Sequence, residues 1–299
     1  MKTAFVVLGA LLTSSALSFA GSGAQLTFGK PIEATKALVA AVEEDNYSAF
    51  LNVVGSEVAE IWRTGDPVRD AIERIRFLDA VRRTNLQADV GNPNRMILYL
   101  GYPAKPFPAP LIREDEGWRF DSSAAVEELA NRRIRRNESA AIESCRGYRD
   151  AQLEYYARAL TFAQKIRSAP GDQDGLYWLN DGEVDESFVG PSFAHAAYSE
   201  PQPEPPRPLF GYYFRILPAQ GPDAPGGVLD YRSGGRMMRG FALIAWPAEY
   251  GVSGLRSFLI NHLGDIYQKD LGSNTPHAAA AITVFDPDPT WTRILADAE

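Results

Sequence analysis

The chain has 299 residues, of which 45% are hydrophobic and 23% charged, with a formal net charge of −8. That length suits two domains, and the composition is that of a folded chain. The acidic balance excludes a general nucleic-acid binder, whose phosphate contacts need a basic surface.

Residues 1–20 read as a signal peptide. Lys2 is a short positive start, Ala4 to Ala16 an apolar run, and Ser18-Phe19-Ala20 places small residues where a signal peptidase reads them. The run is too short for a membrane span. Cleavage is expected near Ala20, leaving a periplasmic or secreted bacterial chain without a transmembrane segment; the alternative is an uncleaved anchor. No cysteine follows the run, which excludes lipid attachment there. Cys145 is the single cysteine, so no intrachain disulfide forms.

From Phe28 to Gly55 two helices are expected, with Ile32, Leu38, Val39 and Val42 on one face and Phe50, Leu51 and Val54 on the next. Asp45-Asn46 offers a cap between them. A third helix runs from Pro67 to Arg83. Strands at Leu86 to Val90 and Arg95 to Leu100 flank the turn Gly91-Asn92-Pro93-Asn94. Strands at Pro108 to Arg113 and Gly117 to Phe120 flank a second, acidic turn.

Ser122 to Ser168 then reads as one long helix, with Asp121 as a cap and Pro170-Gly171 as the stop. Ala141, Cys145, Tyr148, Gln152, Tyr155, Ala159, Phe162 and Ile166 recur at helical spacing and form a buried stripe. On that stripe Cys145 is a small packing residue, not a nucleophile. Glu128/Arg132, Arg146/Asp150 and Glu154/Arg158 are spaced as ion pairs. Beyond it, residues 200–209 are rich in proline and read as an extended strap over the surface. Strands are expected at Gly211 to Leu217, Met237 to Trp246, Leu255 to Asn261 and Asp265 to Lys269. The end of the chain reads as a packed tail.

The fold class is α+β: N-terminal helices with a curled antiparallel sheet, a long connecting helix, and a C-terminal antiparallel sheet packed on that helix. The expected divisions are 1–20, 28–121, 122–291 and a tail at 292–299. The opening Pro31-x-Glu33-Ala34-x-x-Ala37-Leu38 and the helix-then-meander order resemble the nuclear transport factor 2-like cone. The blocks Asp174-Gly175-Leu176-Tyr177-Trp178, GYYFRILPAQGPDAPGG from Gly211 and GFALIAWPAEYGVSGLRSFLINHLGDIYQKDLG from Gly240 resemble an exported bacterial family, Domain of Unknown Function 2950. That resemblance implies a cell-envelope protein without an established biochemical role. Asn137-Glu138 with Ala141-Ile142, and Ala151-Gln152 with Tyr155-Tyr156, are similar to the helix of type IV pilin-like subunits. The charges at 127–136 take the place of an apolar membrane segment, which implies a soluble pilin-like head and not a filament subunit.

No catalytic constellation accompanies this organisation. His195, His262 and His277 lack metal-ligand spacing and read as surface or loop residues. Ser253 in Gly251-Val252-Ser253-Gly254 reads as a turn residue, because a nucleophile elbow leads into a helix and not a strand. Asp172, Asp174, Asp181 and Asp185 have the oxygen-rich look of a weak calcium site, but the closing glutamate is missing and ordinary turns use the same residues. Asp286 and Asp288 belong to the same group. Calcium is thus the one cofactor for which residues can be named.

Arg132, Arg133, Arg135 and Arg136 offer a partner surface, or interdomain ion pairs with Glu60, Asp66, Asp70 and Glu73, or simply a solvated face. Phe210, Tyr212, Tyr213, Phe214 and Trp246 read as sheet core rather than as a stacking platform. The favoured function is a non-enzymatic interaction or assembly protein that binds another envelope protein or a surface polymer. The alternative is an enzyme or small-ligand carrier with polar groups such as Asp79, Arg82 and Tyr99 converging in the N-terminal domain.

Overall fold

The computed structural model describes residues 25–61, 67–179, 187–198 and 205–295. The expected signal peptide lies outside them, as do Asp66, Asp181 and Asp185 and the side chains of Glu60, Asp70 and Glu73. The fold is α+β and forms two compact units, the first ending at Val126 and the second beginning at Glu127.

In the first unit, α1 (Pro31–Glu43) and α2 (Tyr47–Val54) are followed by a 3-10 turn and α3 (Pro67–Val81). Asn46 caps α2, its side chain accepting from Ala49 N at 3.0 Å. The buried face of α1 is Ala34, Thr35, Leu38, Ala41 and Val42, whereas Ile32 is exposed. The buried face thus keeps Leu38 and Val42 of the expected stripe, with Val39 half-buried, and takes in Ala34, Thr35 and Ala41 instead of Ile32. Five strands follow: β1 (Thr84–Asp89), β2 (Asn92–Leu100), β3 (Lys105–Pro106), β4 (Leu111–Glu114) and β5 (Gly117–Phe120). They form an antiparallel sheet in the order β1-β2-β4-β5, with β3 beside β2. Phe28 extends it by exchanging hydrogen bonds with Trp118 at 2.8 and 2.7 Å. Gly117, at φ 131°, permits that approach, since a Cβ there would lie 2.5 Å from the Phe28 carbonyl oxygen.

The long helix α4 spans Ser122–Ala159, 38 residues. Asp121 caps it, accepting from Ala124 N at 3.1 Å. The helix ends well before Ser168, correcting the expected boundary. Leu160 adopts φ 51°, and Phe162 N bonds to Met237 O at 2.8 Å. The buried Gln152 holds the turned-back chain, with its carbonyl accepting from Ala163 N (2.8 Å) and its amide donating to Ala163 O (2.9 Å) and the Tyr148 hydroxyl (2.8 Å). Long-range pairing thus ends the helix before any proline does. Of the expected stripe, Ala141, Cys145, Tyr148, Gln152, Tyr155 and Ile166 are buried, while Ala159 and Phe162 are half-buried and Phe162 and Ile166 lie beyond the helix end.

The rest of the second unit comprises α5 (Pro191–His195), β6 (Tyr212–Leu217), β7 (Ala219–Gln220), β8 (Leu229–Asp230), β9 (Arg232–Ser233), β10 (Arg236–Met237), β11 (Ala242–Pro247), β12 (Arg256–Asn261), β13 (Ile266–Asp270), α6 (Thr275–Ala281) and β14 (Thr292–Ile294). The main sheet is an antiparallel run in the order β14-β13-β12-β11-β6. Thr292–Ile294 therefore belongs to the sheet, not to a tail. The strand expected from Met237 to Trp246 is interrupted around Gly240, where Met238 N and Arg239 N bond to Tyr231 O.

Both faces of this sheet are covered. Phe214 meets Phe193 of α5 (4.8 Å between ring centroids), which stacks on Tyr148 of α4 (6.4 Å). The opposite face carries Arg215, whose guanidinium donates to the Ala279 and Ile282 carbonyls of the α6 region at 2.6 Å each. There Tyr267 also packs on Phe285. All six residues of β11 are buried in consequence, and each large apolar side chain so placed contributes about 1.5–3 kcal/mol.

Candidate interaction surface

One end of the second unit exposes apolar side chains on a rigidly tied frame. Three pieces of chain meet there: the α4 segment from Arg132 to Glu138, the hairpin turn before β6, and the connection from β11 to β12. The hairpin turn is two residues long. Leu209 N bonds to Tyr212 O at 3.0 Å and Tyr212 N to Leu209 O at 2.9 Å, enclosing Phe210 (φ 49°) and Gly211 (φ 76°). Such a turn needs positive φ at both central positions, and asparagine-glycine is the usual pair. A phenylalanine there pays roughly 1–2 kcal/mol in backbone strain. Its side chain does not recover this by burial, for Phe210 is 56% exposed.

The β11–β12 connection carries Val252 and Leu255, both exposed. Its backbone turns back by Ser253 N and Val252 N bonding to Glu249 O at 2.8 and 3.1 Å. Helix α4 grips this turn from one side. Arg133 donates to Val252 O (3.2 Å) and the Asn137 amide to Ser253 O (2.8 Å). The Glu138 carboxylate accepts from Leu255 N (3.0 Å) and Arg256 N (3.1 Å). The two turns adjoin, because a Cβ on Gly211 would lie 2.6 Å from the Ser253 Cβ and 3.1 Å from the Asn137 amide nitrogen. Gly254 is fixed in a similar way: a Cβ there would overlap the Tyr212 hydroxyl, which donates to Arg256 O at 2.9 Å. Phe210, Val252 and Leu255 are thus part-exposed on a frame whose turns adjoin.

The basic run is divided by this geometry. Arg132 and Arg135 both reach Glu128, at 2.7 and 3.2 Å, and the Arg132 guanidinium is the main reason the Glu128 carboxyl sits below its ordinary pKa. Arg133 is bound into the frame, and Arg136 is exposed one turn further along the same side. Elsewhere on the helix, Arg146 pairs with Glu143 rather than Asp150, and Asp150 with Arg149.

The other candidates do not converge. Asp174 is occupied by Lys165, which holds its carboxyl below the usual range, and by Ala169 N at 3.2 Å. Asp172 is exposed, and among the described residues no group of three or more His, Cys, Asp or Glu is placed to hold a metal ion. Asp286 accepts from the distant Asp223 N (2.8 Å), and Asp288 accepts from Thr290 N (2.8 Å) as a turn residue does. Asp79 and Arg82 stand 4.0 Å apart with side chains 82% and 81% exposed, so they line no cavity with Tyr99.

Cys145 is fully buried, and burial pushes its thiol up to about 12, which removes any nucleophilic role. His195 and His277 are exposed. His262 is half-buried against Tyr231 and Phe241 (centroids 5.7 and 6.2 Å), and that burial lowers its pKa. Of the strand aromatics, Tyr212, Phe214 and Trp246 are core and Tyr213 is half-buried. Phe210 departs from the expected core placement because it precedes the strand, at the turn. The Phe-Gly pair directly after the proline run was the signal for it. Nothing local marked the Asn137 and Glu138 ties, which join residues over a hundred positions apart.

A family model described as protein of unknown function (DUF2950) matches residues 25–294. No curated protein and no solved structure gives a match.

Proposed function

The chain belongs to that family of unknown function, and from this premise we propose that it is an exported, non-enzymatic interaction protein of the bacterial cell envelope. The Phe210–Val252–Leu255 end of the second unit is its partner-binding surface. One observation carries the reading: an aromatic side chain is kept exposed on a strained backbone that asparagine would occupy with less strain. Exposed anchors of this kind, beside guanidinium groups such as Arg133 and Arg136, are what partner contacts are built around.

Support for the exported address is the Lys2-to-Ala20 pattern. No helix among the described residues is long and apolar enough to cross a membrane. The cone-like and pilin-like resemblances of the two parts belong to the same proposal, as folds on which binding surfaces are commonly placed.

The test is capture from intact envelopes with the mature chain as bait, comparing the wild type with Phe210→Asn. A partner, protein or surface polymer, that the wild type retains and the variant loses is the expected result. Equal retention by both, or turnover by the purified chain in a broad hydrolase screen, would contradict the reading.

A further inference from the structure

The hairpin turn that carries Phe210 is fed by Pro205-Pro206-Arg207-Pro208-Leu209. Residues 205–208 form neither helix nor strand. Three of those four residues are proline, whose fixed φ and missing N–H favour the extended left-handed form with three residues per turn. The burial pattern has that period. Pro206 and Leu209, three apart, are half-buried, while Pro205, Arg207, Pro208 and Phe210 are exposed. The inner side is tied down, with Arg207 N donating to His195 O at 2.9 Å and Leu209 N to Tyr212 O at 3.0 Å. The outer side therefore presents proline rings, one cation and one aromatic ring in fixed order.

We infer that the ridge Pro205 to Pro208, with Phe210 at the turn beyond it, is a preformed polyproline ligand, and that the partner is a protein with an aromatic-lined groove and a carboxylate facing Arg207. Aromatic grooves take proline ridges because the rings stack on a backbone that loses little entropy on docking. A sheet-edge partner is excluded along 205–208, since three of the four residues have no N–H to donate. This inference rests on the interaction reading above and names its partner.

The experiment places a photo-cross-linking residue at position 204, next to the ridge in the full mature chain, irradiates intact envelopes, and maps the linked peptide by mass spectrometry. The expected product joins position 204 to a protein segment bearing Trp or Tyr. Its yield falls at least tenfold in Pro208→Gly and in Arg207→Glu, with unchanged melting of both variants. Linkage to glycan or lipid, to a protein segment without aromatic residues, or a yield that neither substitution lowers would overturn the inference. Phe210→Asn separates the two levels. If it abolishes cross-linking while Pro208→Gly and Arg207→Glu leave it intact, the binding surface stands and the polyproline ligand falls. If Phe210→Asn leaves cross-linking unchanged, or no cross-link forms at all, both fall.

Discussion

The two halves of α4 do different work. From Ala141 to Tyr155 the helix meets its unit through buried side chains, with Tyr148 and Gln152 completing the contact by hydrogen bonds inside the core. From Arg133 to Glu138 the same helix makes polar bonds to the backbone of one turn, at a surface where Val252 and Leu255 remain in water. The first half holds the sheet in place; the second holds an apolar surface out of the core. Packing of that first kind follows from the hydrophobic effect alone. The second arrangement has no such driving force, and it is the part of the molecule that the proposed partner would account for.

The contrast can be tested by substitution, beginning with the buried half. Phe258→Ala, which empties a fully buried site against Tyr212 in the core beneath the sheet, should destabilise the second unit by about 3–5 kcal/mol in denaturant titration. Gln152→Leu leaves Ala163 N and O without their partners and should cost about 1–3 kcal/mol for each group so stranded. Asn137→Ala removes one part-exposed bond to Ser253 O and should cost only about 1 kcal/mol. If Asn137→Ala were as damaging as Gln152→Leu, the polar half would be part of the core and the distinction between the halves would fail.

A smaller effect is expected from His262. Burial lowers its pKa in the folded state below the reference of 6.5, although Asp265 and the Phe241 carbonyl oppose the shift. Protonation therefore favours the unfolded chain. The residue adds no penalty above its unfolded pKa and a growing one as the pH falls through 6.5 toward the lower folded value. The melting temperature should drop between pH 7.5 and 5, and His262→Gln should reduce that drop. An identical drop in the variant would assign the acid sensitivity to other groups.

Much of the architecture was legible in the residues. The Asp121 cap, the Asn46 cap, the stripe from Ala141 to Tyr155 and the turn at Ser253 follow from local chemistry and periodicity. The helix end was not legible, because Leu160 turns where the chain is taken up by Gln152, earlier on the same helix, and by the distant strand at Met237. Nor was the exposed end. The sequence around Phe210 reads as strand core because aromatic residues cluster there, and the Phe-Gly pair that marks a turn is outweighed until the pairing of Leu209 with Tyr212 places it outside. The Arg132–Arg136 run looked like one feature. It divides into Glu128 partners, a frame residue and an exposed cation, because helical spacing sends neighbours to different sides.

The most direct measurement is the melting temperature and partner capture of Phe210→Asn, taken together on the same preparation. Asparagine relaxes the left-handed turn and forfeits an exposed ring. The variant should therefore melt higher, by a stability gain of about 1 kcal/mol, while losing its envelope partner. A variant that melts lower and still captures that partner would show that Phe210 serves the fold and not an interaction.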